Sequence, residues 1–431
     1  MGIAIKDGRL VNKKTCLLHH LLVLLIISLL FLTPYGMKLG NEVIWLTDFI
    51  SLLAIFIVIT LLFSGSVGVL NSRSRIKLSL LFLILFFSLE IFLPVMGVLT
   101  WNDLSSIASS FRAIIYWLPF LMILTIRPFN SNDALKILDK VLITAVILNL
   151  IIGLIELSIY LELISGFWNF RIYLSDFAPQ DRYLNNRIMS FGFFQNSTAY
   201  GVFGFVSFIH FLSRVLQTDS NKFKFFMYAL LSLLIIILST SRVPLISAFI
   251  SFFFFLLFLR RTKWNLIFSV ILFVFASIVL VVLFSSDYML FSRFSRLVES
   301  GLSGDYSLNQ RLFIYWPQAL YFYNELGHPT FTNPTKYIGT IDSGYLTYLL
   351  QGGVGMVFSL IGFLLVSMFS SLKEALIHKE RGYFPYFLFF ICIYIVLGMV
   401  VSNPMRNPMV IFFLCYAVCG FSFRQELKGY V

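Results

Sequence analysis

Apolar segments of about twenty residues recur along this chain, and they constrain its fold more than any other feature. A helix needs about 20 apolar residues to cross a bilayer. The 431 residues are 59% hydrophobic and only 12% charged, which is more apolar surface than a water-soluble fold can bury. We therefore expect an all-α, polytopic integral membrane protein that forms a single transmembrane domain over residues 1–431, with about twelve helices. The predicted segments are 17–33, 43–63, 78–96, 108–126, 141–160, 191–212, 225–241, 244–259, 264–285, 343–370, 384–402 and 408–423.

Two of these segments depart from a regular membrane helix. Segment 244–259 is short, and the sequence STSRVP at 239–244 predicts a tight hairpin between it and the segment before. Segment 343–370 is long and is interrupted by QGGVG at 351–355. Glycines at such a position predict a kink or a break in the helix.

Basic residues indicate the orientation of the chain, because Lys and Arg are enriched in cytoplasmic loops. An even number of helices places both termini on one side, and we assign that side to the cytoplasm. Twenty-one of the 32 basic residues then lie in the termini and loops of that side. Only two or three basic residues occur in each short loop, which is typical of topology signals and does not favour nucleic acid as a partner.

Two long loops are predicted on the outer side, at about 161–190 and 286–342. In the second, apolar and aromatic residues recur at helical spacing from Arg311 to Leu326. This pattern predicts an amphipathic helix that lies on the membrane.

Four ionisable residues fall inside predicted spans, namely Asp48, Glu90, Arg112 and Glu156. Charge in a bilayer is costly and is usually paired or turned toward a polar cavity. Two interpretations stay open. Either these groups reach the interface or pair with one another, or they line a cavity that opens to the outside.

Three arginines stand on the outer side, each at the mouth of a predicted helix: Arg187, Arg242 and Arg311. The positive-inside rule does not explain them. An outer arginine often only anchors a helix to lipid headgroups, but a planar guanidinium also binds phosphate oxygens in a bidentate manner. The cluster therefore predicts an anionic ligand at the outer surface, such as a phosphate-linked lipid.

Other polar residues accompany these arginines along the chain. Asn196 follows Arg187 within RIMSFGFFQNSTAYG, and its amide can hydrogen-bond a phosphate or a sugar. Asp342 stands directly before the tenth segment, where it is either a helix cap or a catalytic acid, and Tyr345 follows it.

The order of these motifs resembles the O-antigen polymerase and O-antigen ligase superfamily of bacterial membrane glycosyltransferases. The topology agrees over nearly the whole chain, and the motifs cover about residues 187–356. The matching residues are Arg187, Gly192, Asn196 and Ala199; Ser241 and Arg242; Arg311 and Trp316; and Asp342, Tyr345, Gly352, Gly353 and Gly355.

One departure within this resemblance is informative. The ligases typically carry a histidine before the tenth helix, where this chain has Asp342, and His328 lies fourteen residues earlier. The polymerases of the superfamily often have an acidic residue at this point. The departure therefore favours a polymerase.

The resemblance implies a GT-C-like glycosyltransferase in the bacterial inner (cytoplasmic) membrane, with its active site facing the periplasm. It would transfer a growing glycan from its undecaprenyl pyrophosphate carrier to a new lipid-linked repeat unit of a surface polysaccharide. Its partners would be these lipid-linked glycans, the surrounding membrane lipids and a chain-length regulator protein.

The same resemblance implies roles for individual residues. Asp342 and Arg242 would be catalytic. Arg187, Arg311, Asn196 and Tyr345 would bind the pyrophosphate or the glycan. No Asp-x-Asp motif or similar carboxylate pair occurs in the predicted outer loops, so we expect no metal and no cofactor.

Two rival functions stay open on the sequence. An O-antigen ligase would transfer the glycan to the lipid A core. A flippase for lipid-linked oligosaccharide would also have about twelve helices and a cationic cavity. The long outer loop with its amphipathic helix distinguishes the enzymes from the transporter.

Overall fold

The structure is a computed structural model that describes part of the chain. The described residues are 36–39, 42–45, 52, 56, 78–101, 117, 132–160, 163, 190, 192–194, 196–217, 221–259, 309–331, 334, 338, 341–377 and 382–427. Arg187, Asp48, Arg112 and the predicted segments 17–33 and 264–285 lie outside them.

Nine α-helices make up most of the described part of the chain. They are α1 (Leu78–Trp101), α2 (Asn132–Tyr160), α3 (Ser197–Gln217), α4 (Lys222–Ser239), α5 (Arg242–Phe258), α6 (Trp316–Leu326), α7 (Gly344–Ile377), α8 (Tyr383–Val401) and α9 (Pro408–Leu427). A π-helical turn, Arg311–Tyr315, leads into α6, and a 3₁₀ turn, Pro404–Arg406, joins α8 to α9. Eight of the predicted segments overlap these helices.

A short β-hairpin is the exception to the helical architecture. Strand β1 (Gly36–Leu39) pairs antiparallel with β2 (Glu42–Trp45), with Gly36 opposite Trp45. Helices therefore dominate the described residues as predicted, but residues 43–45 of the predicted second helix, 43–63, belong to a strand. Val43, Ile44 and Trp45 are β-branched or aromatic and favour an extended strand.

Six of the described helices are long and apolar enough to cross a membrane. They are α1, α2, α3, α4, α7 and α8, while the apolar stretches of α5 and α9 are shorter. Large apolar side chains such as Phe92, Leu99, Phe358 and Phe369 stay exposed. Exposed apolar surface of this kind is expected where helices contact lipid. The protein is therefore membrane-embedded and helical.

Helices α2, α4 and α8 run antiparallel to α3, which is buried along nearly its whole length. Gly201 of α3 packs on Ser239 at the end of α4, while His210 lies beside Tyr383, the first residue of α8. We call the end of the bundle that holds the start of α3 and the end of α4 the Arg311 end. The opposite end, where α8 begins, is the His210 end.

Gly353 breaks α7, as its sequence predicts. Its backbone has φ 69° and ψ −167°, a conformation that favours glycine. Thr330 and Phe331 donate their backbone N–H groups to the carbonyls of Leu350 and Gln351, at 2.7 and 3.0 Å. The segment 327–331 thus supplies the hydrogen bonds that an interrupted helix needs in a membrane.

The predicted amphipathic helix is present over 311–326. Ala319 of α6 packs with Ile341 and with Leu350 of α7, whereas Phe313 and Tyr321 are exposed. The apolar face of this helix therefore covers the part of α7 that precedes the break.

Candidate functional site

The structure brings together two of the predicted site residues, Arg311 and Asp342. Arg311 donates from Nε and Nη2 to Asp342 Oδ2, at 3.2 and 3.1 Å. Neither bond uses Asp342 Oδ1. The side chains are 24% and 37% exposed, so a ligand can reach the ion pair from outside the bundle.

Asp342 is held in an uncommon backbone conformation at the start of α7. Its φ of 50° is left-handed, a region that Asp adopts more readily than most residues. Gly344 donates its N–H to the Ser402 carbonyl at 2.8 Å. A Cβ on Gly344 would lie 2.5 Å from Met399 Sδ. The close approach to the end of α8 thus anchors the backbone two residues after Asp342.

Arg311 is the first residue of the π-helical turn. Short π-helical turns inside helices occur frequently at functional sites. Trp316, which follows the turn, donates its backbone N–H to the Arg311 carbonyl. Its indole N–H is buried and has no hydrogen-bond partner among the described residues.

The exposed face of α6 carries a second polar contact. Tyr321 donates its hydroxyl to Glu325 Oε1 at 2.5 Å. This hydrogen bond to a carboxylate raises the pKa of Tyr321. Glu325 therefore lies on α6 but not in the ion pair, and it offers a matched control for Asp342.

Arg242 is the first residue of α5, directly after the predicted hairpin. Thr240 has a left-handed φ of 51°, and Ser241 donates its N–H to Ser239 Oγ at 3.1 Å. A Cβ on Gly201 would lie 2.6 Å from Ser239 Oγ. The hairpin is therefore packed tightly against α3, and Arg242 lies half-buried at the Arg311 end.

The segment before α3 is anchored to α2. Gly192 donates its N–H to Glu156 Oε2 at 3.1 Å, and Phe193 donates to Asn149 Oδ1 at 2.9 Å. Gly192 has φ 50°, and a Cβ there would lie 2.4 Å from Asn149 Oδ1. Gly192, which belongs to the motif that begins at Arg187, thus has a packing role.

Glu156 is one of the four charges predicted inside the membrane, and it accepts this backbone hydrogen bond from Gly192.

Asn196 caps α3. Its Oδ1 accepts the backbone N–H of Ala199 at 2.7 Å, which is the geometry of a helix N-cap. The contact explains why an Asn stands here, and a role in binding substrate stays a prediction.

Tyr345 is turned toward α8, where its hydroxyl donates to the Val396 carbonyl at 3.3 Å. The structure therefore does not bring the Tyr345 hydroxyl to the Asp342 carboxylate. Its predicted contact with substrate also stays a prediction.

A polar group that sequence reasoning missed surrounds Arg406. This arginine ends the 3₁₀ turn after α8, and its Nη2 donates to Gln351 Oε1 at 3.4 Å. Nearby, Glu90 accepts hydrogen bonds from Trp117 Nε1 at 2.7 Å and from the Tyr348 hydroxyl at 3.3 Å. A sequence signal existed, since Arg406 is a further outer arginine between the last two predicted helices.

A second missed network joins three helices at the His210 end. His210 Nε2 lies 2.8 Å from Asp139 Oδ1, and His210 Nδ1 lies 2.8 Å from the Tyr383 hydroxyl. Arg214 donates from Nη2 to Asp139 Oδ2 at 2.8 Å and stacks over the Phe225 ring. The group is buried, and it ties α2, α3 and α8 together.

Within the described residues, no group of three or more His, Cys, Asp or Glu side chains is arranged to hold a metal ion. The expectation of a metal-free reaction stays a prediction. Comparison of the whole sequence with protein-family models and with curated proteins found no match.

Proposed function

We propose that this protein polymerises undecaprenyl-pyrophosphate-linked oligosaccharide repeat units into a surface polysaccharide. It transfers the growing chain to a new lipid-linked repeat unit and releases undecaprenyl pyrophosphate. The observation that carries the proposal is the partly exposed Arg311–Asp342 ion pair at the start of the broken helix α7. It combines a phosphate-binding group with a hydrogen-bond acceptor for a sugar hydroxyl.

In this reaction the bond between the anomeric carbon and the phosphate oxygen of the donor breaks. A bond forms between that carbon and the hydroxyl oxygen of the acceptor sugar. Asp342 Oδ1 accepts the hydrogen bond from this hydroxyl and orients it, and the proton is lost to the carboxylate as the new bond forms. The departing diphosphate carries away the negative charge.

Arginines stabilise that departing charge. Arg311 keeps an Nη1 donor outside its contact with Asp342, and Arg242 presents a cation at the same end of the bundle. Arg187 is assigned to the same diphosphate, while Asn196 and Tyr345 contact the glycan. Preorganised cations of this kind lower the barrier because they are aimed at charge that develops in the transition state. No metal or other cofactor takes part.

The orientation follows from the positions of the basic residues. The described residues at the His210 end include Lys136, Lys140, Lys222, Lys224 and Lys373. We therefore assign this end to the cytoplasm, with both termini, and the Arg311 end to the periplasm. The full fold in this proposal has about twelve helices in the inner membrane and is GT-C-like. A chain-length regulator protein is its partner.

A deletion strain tests the function against its rivals. Loss of a polymerase leaves surface glycan with a single repeat unit, and a plasmid copy restores the ladder of long chains. Asp342→Asn fails to restore the ladder, whereas the control Glu325→Gln restores it. Complete loss of surface glycan would indicate a flippase, and polymer that accumulates on its lipid carrier would indicate a ligase. Either result contradicts the proposal.

A further inference from the structure

Arg406 and Glu90 belong to a polar group that the proposed reaction does not use. Glu90 of α1 is 8% exposed, and its two carboxylate oxygens accept from Trp117 and Tyr348. A carboxylate buried at membrane depth needs hydrogen bonds and a compensating positive charge. Besides its two hydrogen bonds, Glu90 has an electrostatic interaction with Arg406. Within the described part of the chain, the two groups form no direct ion pair, so the guanidinium is not consumed by Glu90.

The Arg406 guanidinium is available to a ligand. The residue is exposed, and the one hydrogen bond of its side chain within the described residues, to Gln351 Oε1, is long at 3.4 Å. A guanidinium carries five N–H donors, so most of them remain for another acceptor. Gln351 itself is buried in α7, so its contact turns the guanidinium toward that helix.

The turn that carries Arg406 is rigid. Arg406 donates its backbone N–H to the Asn403 carbonyl at 3.1 Å. A Cβ on Gly398 would lie 2.4 Å from Pro404 Cγ, so the turn packs directly on α8. The Asn403 amide lies beside the Tyr348 hydroxyl, and its buried atoms make no hydrogen bond of ordinary geometry among the described residues. A cation in a fixed position, beside a buried amide whose hydrogen-bonding capacity is not fully used, can serve as a binding subsite.

This subsite is adjacent to the Arg311–Asp342 pair. The backbone of Gly344, two residues after Asp342, is hydrogen-bonded to Ser402, four residues before Arg406. Gln351 follows Gly344 by two helical turns, about 10 Å along α7. Arg406 therefore stands between the ion pair and the break at Gly353, alongside the first half of α7.

We infer that Arg406 binds a phosphate oxygen of the lipid-linked diphosphate, in a subsite that Gln351 and Asn403 complete and that Glu90 balances in charge. The inference rests on the proposed function and adds a fourth arginine to the diphosphate site. A phosphodiester headgroup of bulk phospholipid has similar chemistry and is the alternative source of the anion.

Binding without turnover tests this inference. Purified full-length protein in phosphatidylcholine nanodiscs is titrated with undecaprenyl pyrophosphate, and the Kd is measured for each variant. We expect Arg406→Gln to weaken binding about tenfold or more and Arg406→Lys to weaken it less. Lys224→Gln removes an exposed cation at the opposite end of the bundle and is expected to leave the Kd unchanged.

Glu90→Gln separates a ligand contact from a merely structural role. It removes the negative charge beside Arg406 and keeps the size of the side chain, so diphosphate is expected to bind at least as tightly as to wild type. A structural role would instead make both Arg406→Gln and Glu90→Gln bind more weakly. Thermal unfolding of each variant confirms that folded protein is compared.

Three further results would overturn the inference. If wild type binds and Arg406→Gln binds equally well, the subsite is wrong while the proposed function stands. If wild type does not bind the diphosphate lipid, both fail. If nanodiscs that contain phosphatidylglycerol abolish the Arg406-dependent binding at equimolar lipid, the anion is a bulk headgroup and the assignment to diphosphate is wrong.

Discussion

At the scale of single residues, Arg311 and Asp342 form an ion pair, and we propose that the two side chains act together in the reaction. Both Arg311 donors converge on one oxygen, Oδ2, and the left-handed turn at Asp342 holds the carboxylate in place. Exposed ion pairs contribute only about 0–1 kcal/mol to stability. The pair therefore has little effect on folding, and substitutions in it report on function.

Asp342→Asn should reduce turnover by about 10²–10⁴-fold, the usual contribution of a positioned acid–base group. Arg311→Gln should reduce it by about 10²–10³-fold, the usual contribution of a group that stabilises developing charge. Because the two side chains act as one unit, the double variant should lose little more than either single variant. Initial rates of polymerisation with purified variants measure this. Fully additive losses would show that the residues act independently.

The His210 network provides a contrasting prediction on stability. Asp139→Asn leaves the buried Arg214 guanidinium without its carboxylate partner. Removing one member of a buried ion pair costs about 3–5 kcal/mol. We expect a clear fall in the thermal unfolding temperature in detergent, with the diphosphate Kd of the folded fraction unchanged. An unaltered unfolding temperature would show that the network contributes nothing to the fold.

At the scale of elements, the break in α7 organises the Arg311 end. The carbonyls of Leu350 and Gln351 accept hydrogen bonds from the segment after α6, so the amphipathic helix and the first half of α7 are held together. The same half-helix presents Asp342 at its start and Gln351 near the break. The loop that covers it is therefore part of the site.

Gly353→Ala tests this role of the break. A Cβ at this position would lie 2.9 Å from Pro329 Cγ, and the left-handed φ adds strain of about 1–3 kcal/mol. We expect shorter glycan chains and greater protease sensitivity within 327–331. Gly355→Ala is the matched control, since its Cβ would have no neighbour within 4 Å. Equal glycan chain lengths and equal protease sensitivity of the two variants would contradict this role of the break.

Several of these elements were predictable from the sequence, since apolar length, the QGGVG interruption and the helical spacing from Arg311 to Leu326 are local signals. The strand at 42–45 was missed because a short run of Val, Ile and Trp also fits the start of an apolar helix. Glu90 was singled out from the sequence as a charge inside a predicted span. Its neighbours Trp117, Gln351 and Arg406 were missed because they are distant from it in sequence. Asn196 and Tyr345 were singled out from the sequence. The hydrogen bond by which Asn196 caps its helix and the hydrogen bond of the Tyr345 hydroxyl could not be predicted, because both depend on how the helices pack.

At the scale of the whole molecule, the described helices separate two kinds of charge. The His210 end carries most of the described lysines and a buried, internally paired network. The Arg311 end carries Arg242, Arg311 and Arg406 with partly exposed surfaces. This asymmetry is what the proposed orientation predicts, with the His210 end in the cytoplasm and the Arg311 end at the opposite face.

Cysteine labelling of intact cells tests that orientation. A membrane-impermeant maleimide should label Glu325→Cys on α6 but should label Lys224→Cys only after the membrane is permeabilised. Three native cysteines, Cys392, Cys415 and Cys419, are buried and give little background. Labelling in the reverse pattern would place the Arg311 end in the cytoplasm.

The most direct test of the central claim is polymerisation by the purified protein in nanodiscs, supplied only with undecaprenyl-pyrophosphate-linked repeat units. The product lengths are resolved for wild type, Asp342→Asn and the control Glu325→Gln. We predict a ladder of lipid-linked chains and released undecaprenyl pyrophosphate from wild type and the control, and single repeat units from Asp342→Asn. A full ladder from Asp342→Asn, or no elongation by wild type, would contradict the account.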